Sequence, residues 1–289
     1  MGIIQVDNLT KKYGELTAVN HISFEVEKGT MLGFLGVNGA GKTTVINMLA
    51  TLLTPDEGSA KVCGEILGKG NQEIRRKIGI VYQQNCLDDI LTVRENLICR
   101  GVLHGASRAE ANAQCKKLSE ILKLGDILKK KFRTLSGGQK RRAEIAAALM
   151  HTPELLFLDE PTTGLDPATR KDVWSIIEEL RKNEKMTVFL TTHYMEEAAG
   201  ADKIIIMDHG NIITQGTPFS LKEKYASDRL KLYYKSGREE EIPVSSTMKA
   251  LPLIREAEDK IDGFEVIQGN MDDVFLNAVG RSLEEEGGN

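Results

Sequence analysis

Gly36-Val37-Asn38-Gly39-Ala40-Gly41-Lys42-Thr43-Thr44 fits G-x-x-x-x-G-K-[ST], the pattern of a phosphate-binding loop. The apolar run Met31–Leu35 before it reads as a buried strand. After it, Val45, Met48, Leu49 and Leu52 recur at helical spacing and predict a helix over 45–53. Glycines 36, 39 and 41 free the backbone to turn several N–H groups into one concavity. The helix that follows adds the positive end of its dipole. Lys42 is placed to reach the β- and γ-phosphates of a nucleotide, and the Thr43 hydroxyl to bind Mg²⁺.

Composition bounds the rest. The chain has 289 residues, 41% hydrophobic and 28% charged, with a formal net charge of −4. This suits one large globular domain, alone or with a small appendage, and gives no electrostatic footprint for nucleic acid. The clusters Lys129-Lys130-Lys131-Phe132-Arg133 and Lys140-Arg141-Arg142 read first as solvated helix faces, and second as a positive field near bound nucleotide. No apolar run approaches the length of a membrane span, and the N-terminal residues show no signal-type pattern. Cys63, Cys86, Cys99 and Cys115 form no C-x-x-C pair and read as reduced thiols.

Ile3–Leu9 and Val19–Val26 read as strands, with Lys11-Lys12-Tyr13-Gly14 between them as a turn whose tyrosine is able to stack on a purine. Ser59–Val62 and Ile78–Tyr82 are further strands, separated by a short basic helix at 74–77. Gln83 stands at the carboxyl end of the latter, where α/β sheets place ligands; it reads as a loop amide or as a contact for Mg²⁺ or water. From Thr92 the pattern turns helical, with a Thr92/Glu95 capping box. Helices are expected to 104 and from 107 to 122, in a lobe over roughly 90–150. Leu135-Ser136-Gly137-Gly138-Gln139 precedes a helix over 140–150, with Ser136 as its N-cap: a second helix end suited to an anion. Leu155-Leu156-Phe157-Leu158-Asp159-Glu160 describes a buried parallel strand with acids at its carboxyl end. Adjacent acids on a strand face opposite ways, so Asp159 is expected to hold Mg²⁺ through water and Glu160 to act on the attacking water. Asp166 precedes Pro167 at a helix start and reads locally as an N-cap. His193 follows the core strand 187–191; strands at 203–207 and a hairpin at 210–214 come next.

In order and spacing, Tyr13, the loop 36–44, Gln83, the 135–139 segment, Asp159, Glu160, Thr163-Gly164-Leu165-Asp166 and His193 resemble the nucleotide-binding cassette of ABC transporters. The likeness covers residues 2–225. It implies an α/β P-loop core with an N-terminal antiparallel β subdomain, a helical signature lobe and a small C-terminal α/β appendage. It implies ATP and Mg²⁺ as ligands and two cassettes, expected to be identical, pairing head to tail. Each ATP then lies between the phosphate loop of one copy and Ser136, Gly137, Gly138 and Gln139 of the other. By the same resemblance Tyr13 stacks on adenine, Gln83 senses metal and γ-phosphate, His193 holds phosphate or water in line, and Asp166 acts across the dimer.

Residues 226–289 read as short strands at 230–234, 241–244 and 265–268 and helices at 249–259 and 271–279, with a frayed tail at 284–289. Met271-Asp272-Asp273-Val274-Phe275-Leu276 resembles the ending of drug-, antibiotic- and sodium-export cassettes. The expectation is therefore the ATPase subunit of an exporter, on the cytoplasmic face of the membrane through a separate permease. Leu87, Leu91 and Val93 are expected to contact that permease. A soluble ABC-type ATPase acting on nucleic acid or ribosomes is the alternative, and a non-hydrolysing regulatory module a weaker one that intact Glu160 opposes.

Overall fold

A computed structural model describes residues 2–184 and 186–286. The chain opens with a long hairpin, β1 (Gly2–Tyr13) and β2 (Leu16–Glu27). It continues through β3 (Met31–Leu35), α1 (Lys42–Leu49), β4 (Glu57–Val62), β5 (Glu65–Ile66), α2 (Asn71–Lys77) and β6 (Ile78–Val81). Then come α3 (Val93–Leu103), α4 (Arg108–Ile121), α5 (Gly137–Ala148), β7 (Leu155–Asp159), α6 (Pro167–Glu184) and β8 (Thr187–Thr192). A 3₁₀ turn at Met195–Gly200 leads to β9 (Lys203–Asp208), β10 (Asn211–Gly216) and α7 (Pro218–Tyr225). The last elements are β11 (Asp228–Tyr234), β12 (Glu239–Val244), α8 (Thr247–Ala257), β13 (Ile261–Ile267) and α9 (Met271–Glu286).

The described residues form three sheets. β2-β1-β4-β5 is antiparallel, β10-β9-β3-β8-β7-β6 is the central sheet, and β12-β11-β13 is a small antiparallel sheet. Within the central sheet every pair is parallel except β9–β10. β3 and β7, which lead into the glycine loop and the acid pair, are not neighbours; β8 lies between them. Strand order reverses beside β3, so the carboxyl ends of β3, β7 and β8 form the crevice where such sheets bind ligands.

Apolar burial holds this arrangement. Val45, Ile46, Met48 and Leu49 of α1 pack with Phe24, Phe34, Phe157 and Phe189 between the antiparallel and central sheets. The Phe34 and Phe189 rings stack at 5.3 Å. The helical lobe joins a second core on the other face through Leu97, Leu118, Leu122, Phe132 and Ile145. Its helices begin as capping predicts: Thr92/Glu95, Ser107/Glu110 and Ser136/Gln139 are all reciprocal capping boxes.

Several boundaries differ from expectation. Lys11–Tyr13 lie in the hairpin strand itself, and the turn is Gly14, at φ 60°, with Glu15. α1 ends at Leu49, leaving Leu52 exposed. α5 starts at Gly137, so both glycines lie inside its first turn. The helix expected over 271–279 runs to Glu286, so the expected fraying at 284–286 is not seen; residues 287–289 lie outside the described ones. α9 returns Met271, Val274, Phe275 and Ala278 to the main core, while Leu230, Leu232, Val244, Ala250 and Ala257 make a small core of their own. Leu87 and Val93, expected at a partner surface, are buried in the main core instead. Among the described residues no helix is long and apolar enough to cross a membrane.

Candidate functional site

The glycine loop is shaped by close backbone approach. At Gly41, φ is 106° and a Cβ would stand 2.3 Å from the carbonyl oxygen of Ala18, so no side chain fits where β2 begins to cover the loop. Lys42 is buried and donates through Nζ to the carbonyls of Gly36 and Val37 at 2.8 and 3.0 Å. The same Nζ lies 3.6 Å from Glu160 Oε1. Burial lowers the Lys42 pKa, against the opposing pull of Glu160 and Asp159.

Thr43 Oγ1 donates to the Asp159 carboxylate, 3.3 Å from Oδ1 and 3.1 Å from Oδ2. Thr191 Oγ1, on the intervening strand β8, donates to Asp159 Oδ1 at 2.6 Å. Burial raises the Asp159 pKa, partly offset by these two hydroxyls. Among the described residues no three His, Cys, Asp or Glu side chains gather into a metal cage. A hydroxyl facing one carboxylate at the loop is the donor set Mg²⁺ takes when phosphate and water supply the rest.

Glu160 does not extend the strand. Its φ of 47° is left-handed, and its N–H donates to Thr191 O and Thr191 Oγ1 at 3.0 and 3.2 Å. This kink, not strand alternation, separates the two acids and brings Glu160 over the loop. Glu160 Oε2 is the meeting point of three groups: Gln83 Nε2 at 3.3 Å, Thr163 Oγ1 at 3.0 Å and His193 Nδ1 at 3.2 Å. Gln83 therefore bonds the acid rather than the Thr43–Asp159 pair.

Ser136 caps α5, its Oγ accepting from Gln139 N at 3.4 Å while Gln139 Oε1 accepts from Ser136 N at 3.1 Å. Asp166 caps α6 through Thr169, accepting its N–H at 3.0 Å and its hydroxyl at 2.6 Å. Tyr13 stands half exposed at the hairpin end, with Lys11 Nζ 5.8 Å from its ring. The sequence reading missed Arg141, assigning it to a solvated basic face. It is 5% exposed and donates to the carbonyls of Tyr82, Gln83 and Glu160. Glu144 was missed too; it accepts from the N–H groups of Cys86 and Leu87 at 2.7 and 3.0 Å. Helical spacing held a signal: residues 137, 141 and 144 share one face of α5.

Residues 19–163 match the family model described as ABC transporter. The chain belongs to the ABC transporter family. It is 37% identical to the daunorubicin/doxorubicin resistance ATP-binding protein of Streptomyces peucetius, over 98% of this chain and 94% of that protein. It is 35% identical to the Nod factor export ATP-binding protein I of Paraburkholderia xenovorans, over 98% of each. The fold matches an ATP-binding cassette solved as a dimer in a post-hydrolysis state with ADP and Pi. That match has a TM-score of 0.68 at 27% identity, and covers 74% of this chain and 98% of the other. The chain is thus an ATP-binding and ATP-hydrolysing subunit of an ABC transporter.

Proposed function

We propose that this subunit drives export through a separate transmembrane permease, and that Glu160 is the base of its ATPase. The observation that carries the reading is the convergence of Lys42, Gln83, Thr163 and His193 on the Glu160 carboxylate. Residues 36–44 bind the phosphates and Tyr13 stacks on adenine. Thr43 and Asp159 would hold Mg²⁺, Asp159 through water, and the ion would supply charge neutralisation at the phosphates. Glu160 takes the proton of the attacking water, Gln83 contacts that water or the metal, and His193 orients the water or the γ-phosphate.

Ser136, Gly137, Gly138 and Gln139 serve the nucleotide of a second, identical copy in a head-to-tail dimer, with Asp166 at the contact. Residues 2–225 form the cassette, with the helical lobe at about 90–150, and 226–289 an extension that stabilises the dimer or meets the permease. The permease surface is the groove beside Gln83 lined by Tyr82, Cys86, Arg100, His104, Glu144 and His151. Drug-resistance and export names among the relatives support export from the cytoplasmic face of the membrane.

The test is Glu160→Gln. ATP turnover is expected to fall by roughly 10²–10⁴-fold, the span of a general base. The tagged variant, loaded with ATP and extracted from its native membranes, is expected to retain a multi-span protein in comparable amount. Turnover near that of the unsubstituted chain refutes the base; recovery only from the soluble fraction, with ribosomal or DNA-associated proteins, refutes the permease reading.

A further inference from the structure

Glu160 and His193 sit at the ends of two different strands, β7 and β8. The side chain that ties their flanking segments together is neither of them. Thr162 lies two residues after Glu160, and its Oγ1 donates to Glu197 Oε1. Thr192 lies immediately before His193, and its Oγ1 donates to the other oxygen, Oε2, at 2.7 Å. Both threonines are 1% exposed and Glu197 is 9% exposed. Arg170 of α6 balances the buried charge, with Nε 3.7 Å from Glu197 Oε1. Its guanidinium lies 4.1 Å over the Tyr194 ring, which stands 4.0 Å from the His193 ring.

We propose that Glu197 is a positioning residue for ATP hydrolysis: one carboxylate that sets the separation between the loop after Glu160 and the strand end before His193. Among the described residues no hydrogen bond or ion pair links it to Lys42, Thr43 or Glu160, so it acts through its neighbours rather than on the nucleotide. The path is short. Thr163, next to Thr162, donates through Oγ1 to Glu160 Oε2 at 3.0 Å. Thr192 Oγ1 also accepts the N–H of Tyr194 at 3.0 Å, fixing the backbone on either side of His193. A glutamine in place of Glu197 keeps the shape but offers an N–H₂ to one hydroxyl that now donates. That hydroxyl has to turn, and its segment shifts with it.

The inference rests on the roles given to Glu160 and His193, and the experiment separates the two. ATP hydrolysis by the purified 289-residue chain is measured for Glu197→Gln, Thr162→Val, Thr162→Ser, Glu160→Gln and the Glu160→Gln/Glu197→Gln pair. Glu197→Gln and Thr162→Val are expected to lower kcat by about tenfold or more, because misplacement by about 1 Å can cost on the order of 10². KM for ATP is expected to stay within about twofold, as for a group that acts only in the chemical step. Thr162→Ser, which keeps the hydroxyl, restores kcat. The paired variant is no slower than Glu160→Gln alone, since both changes act through one base. Glu197→Gln with unaltered kcat beside an inactive Glu160→Gln overturns the proposal, as does a loss that adds fully to that of Glu160→Gln or follows a falling Tm. An active Glu160→Gln instead removes the assignment of the base.

Discussion

Arg141 Nη1 donates to the carbonyl oxygen of Tyr82 at 2.6 Å. Its Nη2 reaches the carbonyls of Gln83 at 3.3 Å and Glu160 at 3.5 Å. A guanidinium on the first turns of α5 thereby joins the helical lobe to the two strand ends that carry the site. Its planar fork is what lets one side chain serve three carbonyls.

Arg141→Met takes this donor from the Tyr82 and Gln83 carbonyls, while the Glu160 carbonyl keeps the Thr163 N–H at 3.3 Å. One buried unsatisfied group costs about 1–3 kcal/mol, so the urea midpoint should fall. ATP turnover should fall more than the midpoint suggests, because Gln83 and Glu160 lose a shared anchor. Arg141→Lys, a point donor, should recover only part of either loss. Unaltered turnover in Arg141→Met would show that the clamp is not needed.

Gly138 packs against α6 where a Cβ would lie 2.1 Å from Thr169 Cγ2. Thr169 has no freedom to swing away, because its hydroxyl is held by Asp166 Oδ2 at 2.6 Å. Gly138→Ala is therefore expected to destabilise by about 1–3 kcal/mol through overpacking. Adding Thr169→Ser removes the methyl, keeps the hydroxyl and should restore most of the loss in a thermal melt.

Burial holds the Asp159 carboxyl above its ordinary pKa. With the folded pKa raised, the stability that protonation confers is present at low pH and lost as pH rises through the folded value. Asp159→Asn cannot ionise, so its Tm should exceed that of the unsubstituted chain near neutral pH, and the gap should close on acidification. In the metal-holding role proposed for Asp159, the same variant should lose ATP turnover by about 10–100-fold or more, the usual effect of removing an outer-shell metal partner. A lower Tm at neutral pH would contradict the sign.

His151 stacks on His104 with ring centroids 3.9 Å apart, and its Nε2 donates to Ile78 O at 2.8 Å. Burial, with His104 adding to it, pushes its pKa down to about 4 from an ordinary 6.5. A depressed folded pKa means stability that is whole above 6.5 and drains as pH falls toward about 4. Urea midpoints should therefore drop between neutral and mildly acidic pH, and drop less in His151→Gln. Parallel pH curves for the two chains would refute this.

Much of the fold was legible along the chain because its signals are local. The glycine loop, the capping box at Thr92, the N-cap at Ser136, and the apolar runs 31–35 and 155–158 each depend on near neighbours only. Leu87 and Val93 misled because an apolar residue beside a loop looks alike whether it meets a partner or the chain's own core. Arg141 misled because its neighbours Lys140 and Arg142 leave no local trace of which member of a basic triplet turns inward.

By itself the amino-acid order determined most element types and the family, and it named the candidates for phosphate, metal and proton chemistry, since those depend on side-chain identity and short spacing. Only the tertiary structure decided how they meet. β8 lies between β3 and β7, so Thr191 shares its hydroxyl between the Asp159 carboxylate and the Glu160 N–H. The left-handed turn at Glu160 aims its carboxylate at Lys42, Gln83, Thr163 and His193. Those contacts span residues far apart in the chain. They are fixed by strand order and sheet packing, which emerge only when the whole apolar surface is buried at once.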